Sequence, residues 1–382
     1  MKLLFASDSF KGGLTSRQTI ELLTKAAHEV FGDCETGGVP VADGGEGTVD
    51  AVIGAENGDI IRCEVHGPLM EKIEARYGVF GGDQAVIEMS ASSGLPLVPL
   101  KDRNPMYTST VGTGELIKDA LDKGYRKLAV AIGGSATNDG GMGCARALGV
   151  RFLDKDGREL EGCGRDLINV RSIDLSGLDG RVKESEITVM CDVTNPLCGP
   201  DGATWTFGAQ KGATPEIQEQ LEEGMCNYRD VIKASFGVDC DALQGAGAAG
   251  GLGAALSVFF GGRMKSGIDT VLDLIHFDER LEGVDLVVTG EGRTDWQSCF
   301  GKVMRGVGER AKAKGIPVLG LSGSLGKGAM DICKYGVSSL MVTVNTQMTL
   351  EEAIEKGEDL YYEAAVRMFL FVRTGMGMKH IL

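Results

Sequence analysis

The sequence predicts an α/β protein in which both termini form one doubly wound, mostly parallel, Rossmann-like domain and a second α/β domain is inserted between them. Two observations predict this class. Both ends of the chain alternate apolar, β-branched segments of strand length with amphipathic segments of helical length, which is the pattern of β-α-β units. The middle instead carries shorter strands and long glycine-rich loops. We therefore place the Rossmann-like domain at 1–66 and 262–382, the inserted domain at 67–261, and the active site in the cleft between them.

The first β-α-β unit occupies the N-terminus. Residues 2–7 form an apolar segment of strand length, and residues 15–30 place apolar side chains on one helical stripe. Thr15 and Gln18 have the spacing of a capping box, which predicts that the helix begins at this point. A second strand is expected at 39–42. This order of elements predicts a parallel sheet.

The C-terminal part of the chain repeats this pattern. We predict strands at 285–290, 317–323 and 339–345 and helices at 302–314 and 350–372. These strands are apolar and β-branched, as expected when helices cover both faces of a parallel sheet. In the middle of the chain, the predicted strands lie at 72–80, 84–90, 127–131 and 186–190, and a helix is predicted at 142–148.

The composition excludes several classes of protein. The 382 residues exceed what one hydrophobic core usually fills, so about two domains are expected. The formal net charge of −15, without a long run of lysine or arginine, argues against nucleic acid or a membrane as a partner. The ten cysteines include no C-x-x-C pair, which favours free thiols in a reducing compartment. Without a secretory signal or a long apolar run, we expect a cytoplasmic protein.

Several familiar nucleotide-binding and catalytic signatures are missing. The Walker motif does not occur, and the four histidines are too few to favour a histidine-centred hydrolase. Residues 245–250 do fit G-x-G-x-x-G, and Asp269 lies near the distance expected of a dinucleotide site. The residues before this segment do not form a convincing strand, however. We interpret the segment as a glycine loop that faces phosphate or packs against a helix.

Glycine-rich loops with polar side chains follow the predicted strands of the terminal domain. The loop at 8–13 precedes the first helix, where backbone N–H groups and the helix dipole favour an anion, and Lys11 adds positive charge. Asp43 and Glu46 follow the second strand at the same edge of the sheet. Because converging carboxylates repel each other, Mg²⁺ is their expected partner. A solvated surface lysine and a simple helix cap at Asp43 are the alternatives.

Two further loops follow strands of the inserted domain. The loop IGGSATNDGG at 132–141 offers glycine, serine and threonine donors to an anion, and Asn138 and Asp139 offer oxygen ligands. The next loop, CDVTNPLCG, places Asp192 and Asn195 on a turn that a proline fixes. Both loops therefore combine backbone donors with side chains that could hold a metal ion or a hydroxyl group.

The segment TGEGRTD follows the predicted strand at 285–290 and carries Glu291, Arg293 and Asp295. An arginine can hold a carboxylate or a phosphate through two parallel hydrogen bonds. The simpler alternative is that Arg293 and Asp295 pair with each other, because they are close in sequence.

Taken in order, these loops resemble those of the glycerate kinase type I family, the D-glycerate 2-kinases. The resemblance extends over about residues 2–345 and rests on DSFKGG, VADGGEGT, VIEMSASSGLPLV, AIGGSATNDGGMG, CDVTNPLCGPDGAT, FGAQKGA, GAGAAGGLG and GVDLVVTGEGRTD. It implies two α/β domains with the active site between them. It also implies transfer of a phosphoryl group from ATP to D-glycerate with Mg²⁺, and 2-phosphoglycerate as the favoured product.

The loop chemistry and the resemblance together suggest a role for each candidate residue. The catalytic candidates are Lys11, Asp192 and Arg293, of which Asp192 is expected to orient the substrate hydroxyl. The residues expected to bind ATP are Gly133, Gly134, Ser135, Thr137, Asn138, Gly247 and Gly250. The residues expected to bind the substrate are Asp8, Asn195, Glu291 and Asp295. The residues expected to hold Mg²⁺ are Asp43, Glu46 and Asp139.

Two other functions stay open on the sequence alone. One is a kinase for another small hydroxy acid, and the other is a regulator that binds a sugar acid without turnover. The clustered carboxylates and the missing DNA-binding module argue against the regulator. D-Glycerate is therefore the expected small-molecule partner, and we expect a monomer or a homodimer.

Overall fold

The structure is a computed structural model that describes residues 1–10 and 12–377. The chain forms two units. The terminal unit comprises Met1–Asp43, Asp50–Ala55 and Ile268–Leu382, and the inserted unit comprises Gly44–Val49 and Glu56–Gly267. The first crossing into the inserted unit thus precedes the predicted boundary at residue 66, because the strand at 59–66 pairs with the sheet of the inserted unit.

The elements are named in chain order. The strands are β1 (Lys2–Phe5), β2 (Glu35–Gly38), β3 (Asp59–His66), β4 (Lys72–Phe80), β5 (Gln84–Glu88), β6 (Lys127–Ala131), β7 (Arg151–Leu153), β8 (Ser172–Asp174), β9 (Glu186–Met190), β10 (Arg263–Lys265), β11 (Leu286–Thr294), β12 (Val318–Leu325) and β13 (Val337–Val342). The helices are α1 (Ser16–Phe31), α2 (Thr48–Glu56), α3 (Ser90–Ser93), α4 (Val111–Asp122), α5 (Met142–Ala147), α6 (Ala203–Phe207), α7 (Pro215–Phe236), α8 (Leu252–Phe260), α9 (Gly267–Leu274), α10 (Phe277–Arg280), α11 (Val303–Ala313), α12 (Leu350–Glu355) and α13 (Gly357–Gly377).

The sheet of the terminal unit is parallel throughout. Its strand order is β13-β12-β11-β1-β2, so the strands from the two ends of the chain meet where β1 pairs with β11. The inserted unit has a mixed sheet of order β10-β9-β6-β5-β4-β3, in which β5, β6, β9 and β10 run parallel and β3 and β4 are antiparallel. These sheets confirm the predicted α/β class with mostly parallel strands.

The second strand and the C-terminal helix predicted for the terminal unit differ from the structure. The second strand is β2 at 35–38, rather than the more apolar segment at 39–42. Residues 35–38 are the ones that pair with Lys2–Phe5 of β1, and α1 packs closely on them, since a Cβ atom on Gly38 would lie 2.1 Å from Cγ2 of Ile20. The predicted C-terminal helix at 350–372 is two helices, since α12 ends before Lys356.

Each unit has its own apolar core. In the terminal unit, Phe5 of β1 contacts Phe369 of α13 with ring centroids 6.2 Å apart, and both rings are fully buried. In the inserted unit, Phe152 lies against Tyr228 of α7, and both side chains are again buried. No helix within residues 1–10 and 12–377 combines the length and the apolar character that a membrane span requires.

The helix α1 begins with the predicted capping box. The backbone N–H of Gln18 donates to Oγ1 of Thr15 over 3.2 Å, and the Gln18 side chain accepts from the backbone N–H of Thr15 over 2.9 Å. Two donors of the first turn, which have no partner inside a helix, are thereby satisfied. The helix start orients the face of α1 that packs on the sheet.

The substitution Thr15→Ala tests this cap. Loss of an N-cap hydroxyl costs about 1 kcal/mol of local helix stability, which corresponds to roughly fivefold faster hydrogen exchange in the first turn of α1. Mass spectrometry of deuterated peptides covering 15–24 would measure the change. The control is Thr24→Ala in the middle of the same helix, which should leave exchange unchanged or slow it. Equal exchange in Thr15→Ala and the parent protein would contradict the capping role.

Candidate active site

The carboxyl ends of four parallel strands bring several candidate loops to one edge of the inserted sheet. β5 ends at Glu88, β6 at Ala131, β9 at Met190 and β10 at Lys265. Parallel strands present their carboxyl ends on the same side, which is where α/β proteins bind ligands. The predicted loops at 132–141 and 191–199 both start at this edge.

The first of these loops exposes backbone beside β6. Gly133 and Gly134 are exposed, and Gly134 has a φ of +75°, a conformation that favours glycine. The loop is held in place because Leu95 donates to the carbonyl of Gly134 over 2.8 Å and Ala136 donates to that of Ser93 over 2.9 Å. The exposed peptide groups of 133–134 can therefore present fixed dipoles to an anion.

The loop at 44–47 packs directly against this backbone. A Cβ atom on Gly133 would lie 3.3 Å from Cα of Gly45, and one on Gly44 would lie 2.6 Å from Cα of Gly267. The loop is anchored where Val49 donates to Oε1 of Glu88 over 2.7 Å. The structure therefore brings this loop together with the loop at 132–141, whereas the sequence placed it only beside Asp8 at the edge of the terminal sheet.

Asp192 and Asn195 lie in the loop after β9. Asp192 is exposed, and its Oδ1 accepts from the backbone N–H of Gly267 over 2.9 Å. The side-chain amide of Asn195 donates to the carbonyl of Asp201 over 2.7 Å and to Oγ1 of Thr206 over 3.3 Å. Asn195 thus uses its amide to hold the loop, whereas Asp192 presents a fixed carboxylate at the surface.

The inner part of the loop at 132–141 belongs to a buried polar cluster. The cluster is formed by Thr137, Asn138, Asp139, Thr204 and Lys211. The Lys211 ammonium donates to the carbonyl of Thr137 over 2.7 Å, and the Asn138 amide donates to Oγ1 of Thr204 over 3.1 Å. Burial lowers the pKa of Lys211 to about 7, although Asp139 acts in the opposite direction. The cluster therefore ties the loop to the segments that carry Thr204 and Lys211.

Asp139 serves inside this cluster and offers no ligand atom to a metal ion. Its oxygens accept from the backbone and hydroxyl of Thr110 and from the backbone N–H groups of Gly141 and Gly143. Its side chain is fully buried. Burial raises the pKa of Asp139, whereas these hydrogen bonds act in the opposite direction. The structure thus argues against the predicted magnesium role, because internal donors already surround the carboxylate.

The side chains of Thr137 and Asn138 are also turned inward. Both residues are fully buried, and Oγ1 of Thr137 and Oδ1 of Asn138 have no hydrogen-bond partner among the described residues. Direct nucleotide contact by these two side chains, as predicted, would require them to reach the surface. The exposed backbone of Gly133 and Gly134 is better placed for it, whereas the adjoining Ser135 is itself buried.

The glycines at 245–253 pack against other backbone segments. A Cβ atom on Gly247 would lie 2.1 Å from the carbonyl oxygen of Pro196, and one on Gly250 would lie 2.1 Å from that of Thr137. Both glycines are buried. The structure therefore argues against the predicted nucleotide contacts of Gly247 and Gly250 and favours a packing role for both glycines. The residues before this segment form a 3₁₀ turn at Cys240–Ala242 rather than a strand. A dinucleotide site would need a strand at that position, so the segment lacks the expected context.

The terminal unit brings other candidates together at the carboxyl edge of its own sheet. The backbone N–H of Asp8 donates to the carbonyl of Gly290 over 2.9 Å, so Asp8 lies beside the segment TGEGRTD. This segment is not a loop, because β11 continues to Thr294 and pairs Glu291 with Ser322 of β12. Within this strand Glu291 is buried, whereas Arg293, two residues further along, is exposed.

Glu291 is a buried carboxylate held by hydroxyl groups. Its Oε1 accepts from Thr294 over 3.0 Å and from Ser298 at a shorter distance. Burial raises the pKa of Glu291, whereas Ser298 and the ammonium of Lys302 act in the opposite direction. Glu291 therefore holds the turn after β11 in place through buried hydrogen bonds.

Arg293 and Asp295 form the pair that the sequence suggested as the simpler alternative. Nε of Arg293 lies 3.5 Å from Oδ2 of Asp295, and the arginine side chain is 69% exposed. An exposed pair of this kind contributes little stability. Asp295 also accepts from the backbone N–H of Gln297 over 2.9 Å and so caps the 3₁₀ helix Trp296–Cys299. The guanidinium is therefore weakly held.

The structure says less about three candidate residues. Lys11 lies outside the described residues. Asp43 is half-buried and Glu46 is exposed, and both belong to the loop that begins before Gly44. Among residues 1–10 and 12–377, the groups of three side chains close enough to hold a metal ion are Cys198, Glu222 and Cys226, and Glu161, Cys163 and Asp166. Neither trio contains a predicted magnesium ligand, so the roles of Asp43 and Glu46 stay predictions.

Sequence reasoning missed Lys211 and Glu88. Lys211 is only 2% exposed, although lysine is among the residues least often buried. The flanking small residues of FGAQKGA were the available signal, since they let neighbouring backbone approach an amine. Glu88 ends a strand of buried apolar residues, and a carboxylate at that position needs a donor such as the backbone of Val49.

The chain resembles known proteins over nearly its whole length. A sequence model of the "Glycerate kinase family" matches residues 3–373. The chain is 44% identical to "Glycerate kinase" of Bacillus subtilis (strain 168) over 368 residues, which cover 96% of each chain. It is 43% identical to "Glycerate 2-kinase" of Escherichia coli (strain K12) over 377 residues, covering 98% of this chain and 99% of the relative. A crystal structure from Salmonella typhimurium LT2, described as a proposed glycerate kinase 2, has a TM-score of 0.89 and 42% identity and covers 99% of this chain and 100% of its own.

The buried amine of Lys211 makes a pH-dependent contribution to stability. Its pKa is about 7 in the folded protein and 10.5 without the fold, so the unfolded chain binds more protons between these values. Stability therefore gains up to about 1.4 kcal/mol per pH unit as the pH rises from 7 towards 10. We expect the Tm of the parent protein to increase relative to Lys211→Met when both are measured at pH 7 and pH 9.

The matched control is Lys233→Met, which removes an exposed lysine of α7 that pairs with Asp239. Its Tm should differ from that of the parent protein by the same amount at both pH values. A constant difference for Lys211→Met as well would mean that the buried amine keeps its proton over this range.

Proposed function

This chain belongs to the glycerate kinase family, and we propose that it transfers the terminal phosphoryl group of ATP to the 2-hydroxyl group of D-glycerate. The observation that carries the proposal is a family match that spans both units and includes all the glycine-rich loops described above. The name of the Escherichia coli relative, a glycerate 2-kinase, supports the 2-position. The ten free cysteines support a reducing compartment, and we place the reaction in the cytoplasm.

Phosphoryl transfer requires positioned groups and neutralised charge more than covalent participation of the protein. The exposed backbone at 133–134 offers fixed dipoles for a phosphate group in a protein whose net charge is −15. Ser135 follows this backbone directly. We propose that Gly133, Gly134 and Ser135 bind the phosphate groups of ATP. The buried cluster below them keeps the loop rigid.

Mg²⁺ would neutralise part of the phosphate charge when it is bound. It prefers oxygen ligands and usually uses one or two carboxylates together with water and phosphate oxygens. Asp43 directly precedes the loop at 44–47 that packs against Gly133, and Glu46 is an exposed residue within it. These two carboxylates fit the requirement, whereas Asp139 does not because its oxygens are enclosed.

Asp192 is the residue that we assign to the substrate hydroxyl. The bond from Gly267 fixes one carboxylate oxygen, and the side chain is exposed beyond the end of β9. A carboxylate held in this way can accept a hydrogen bond from a hydroxyl group and receive its proton during transfer. The amide of Asn195 supports this geometry by holding the same loop.

Two cationic side chains are proposed to bind the anionic groups of the reactants, which are the carboxylate of the substrate and the phosphoryl group. Arg293 is exposed and forms a long ion pair with Asp295, so its guanidinium can donate hydrogen bonds to a carboxylate or phosphoryl group. Lys11 keeps the same assignment from its position in DSFKGG. Glu291 contributes indirectly, because it fixes Ser298 and Thr294 next to the strand that carries Arg293.

The activity can be measured directly. Purified protein with ATP, Mg²⁺ and D-glycerate should release ADP and form phosphoglycerate in equal amounts, with the phosphate at the 2-position in phosphorus NMR. Omission of D-glycerate is the control for ATP hydrolysis, and tartronate and L-glycerate test selectivity. Turnover with tartronate alone would identify a kinase for another hydroxy acid. Binding of D-glycerate without ADP release would instead indicate a regulator.

The substitution Asp192→Asn tests the assigned proton acceptor. The shape of the side chain is kept while its basicity is lost, so kcat should fall by about 10²-fold or more with little change in the KM for ATP. Steady-state kinetics with D-glycerate would measure both quantities. The control is Asp156→Asn in an exposed turn of the same unit, which should retain the parental kcat. An unchanged kcat in Asp192→Asn would exclude Asp192 as the proton acceptor.

A further inference from the structure

Two thiols and one carboxylate converge where the loop after β9 meets α7. Cys198 is the buried thiol of the loop, and Glu222 and Cys226 lie four residues apart on α7, which places them on one face of the helix. One ligand atom from each residue lies within 4.8 Å of the other two. All three residues belong to the inserted unit, and the proposed phosphoryl transfer uses none of them.

The carboxylate of Glu222 is oriented and only partly satisfied. Its Oε1 accepts from the backbone N–H of Gly199 over 2.6 Å, which fixes the direction of the side chain. Its Oε2 is buried and has no hydrogen-bond partner among the residues that the structure describes. A buried carboxylate oxygen without a partner costs stability. A cation next to Oε2 would remove this cost.

The charges around the three side chains favour a cation. Asp241 accepts from the backbone N–H of Cys198 over 3.0 Å and pairs with Arg229 over 2.9 Å. Arg229 also lies 2.9 Å from Asp230. One guanidinium therefore pairs with two carboxylates, those of Asp230 and Asp241. With the carboxylate of Glu222 added, these side chains carry an excess of negative charge.

We propose that Cys198, Glu222 and Cys226 bind a zinc ion, with water as the fourth ligand. Zinc accepts thiolate and carboxylate ligands in a tetrahedral arrangement whose edges measure roughly 3.5–3.8 Å. Sγ of Cys226 already lies 3.7 Å from Oε1 of Glu222. Binding releases one proton from each thiol to solvent. Mg²⁺ is a poor match for this site, because it prefers oxygen ligands.

The ion would connect the loop after β9 to α7. Asp192 and Asn195 lie in this loop, and Gly199 at its end already donates to Glu222. Zinc would thus add a metal crosslink to the hydrogen bond that now joins the two segments. The site is structural and distinct from the proposed magnesium ligands Asp43 and Glu46.

The test uses the full chain, purified without a histidine tag and stripped with a chelator. After incubation with Zn²⁺ and removal of excess ion, elemental analysis should find one zinc per chain. Co²⁺ in place of Zn²⁺ should give a thiolate charge-transfer band in the absorption spectrum. Zinc should also raise the Tm, because it binds the folded state.

Two variants and one control decide the outcome. Cys226→Ser should lose stoichiometric zinc and the cobalt band, and Glu222→Gln should weaken zinc binding by about 10-fold or more while keeping the band. Cys333→Ser removes a half-buried thiol of the terminal unit and should leave both signals unchanged. If Cys226→Ser does not fold, Glu222→Gln alone carries the test.

Three results would overturn the proposal. The first is a parent protein that binds no more zinc than Cys226→Ser. The second is an equal loss of zinc in Cys333→Ser. The third is the disappearance of the Cys198 and Cys226 thiols in air without any metal, which would show that the two sulfurs form a disulfide instead.

Discussion

The candidate site in the inserted unit depends on backbone segments that approach each other more closely than side chains would allow. Gly44 lies against Gly267, Gly247 lies against Pro196, and Gly250 lies against Thr137. At each contact, a Cβ atom would collide with backbone of the neighbouring segment. The loops after β6 and β9 are therefore held by direct contacts between main chains, which leaves little room for either loop to shift.

Polar groups complete this arrangement at two depths. Below the surface, Lys211 holds the carbonyl of Thr137, and Asp139 gathers donors from Thr110 and from the turn that leads into α5. At the surface, the peptide groups at 133–134 and the carboxylate of Asp192 remain exposed. The peptide groups at 133–134 are therefore the part of the loop that we propose for the phosphate groups, while internal hydrogen bonds enclose the carboxylate of Asp139.

The order of strands and loops could be predicted to a large extent, because local pattern governs those features. The strands at 72–80, 127–131 and 186–190 have the predicted bounds, and the capping box at Thr15 is present. The candidate site was less accessible to sequence reasoning. Its candidate loops do follow strand ends, but the direction in which Asp139, Asn138 or Glu291 points depends on neighbours that are distant in the chain.

The sequence by itself determined the α/β class, the family and the loops that carry polar groups, because periodicity and ordered motifs are properties of neighbouring residues. Only the tertiary structure decided that Gly247 and Gly250 serve packing, that Glu291 lies within a strand, and that Lys211 is buried. It also brought Cys198 next to α7. These features arise from contacts between segments far apart in the chain, and a linear pattern contains no record of which segments will meet.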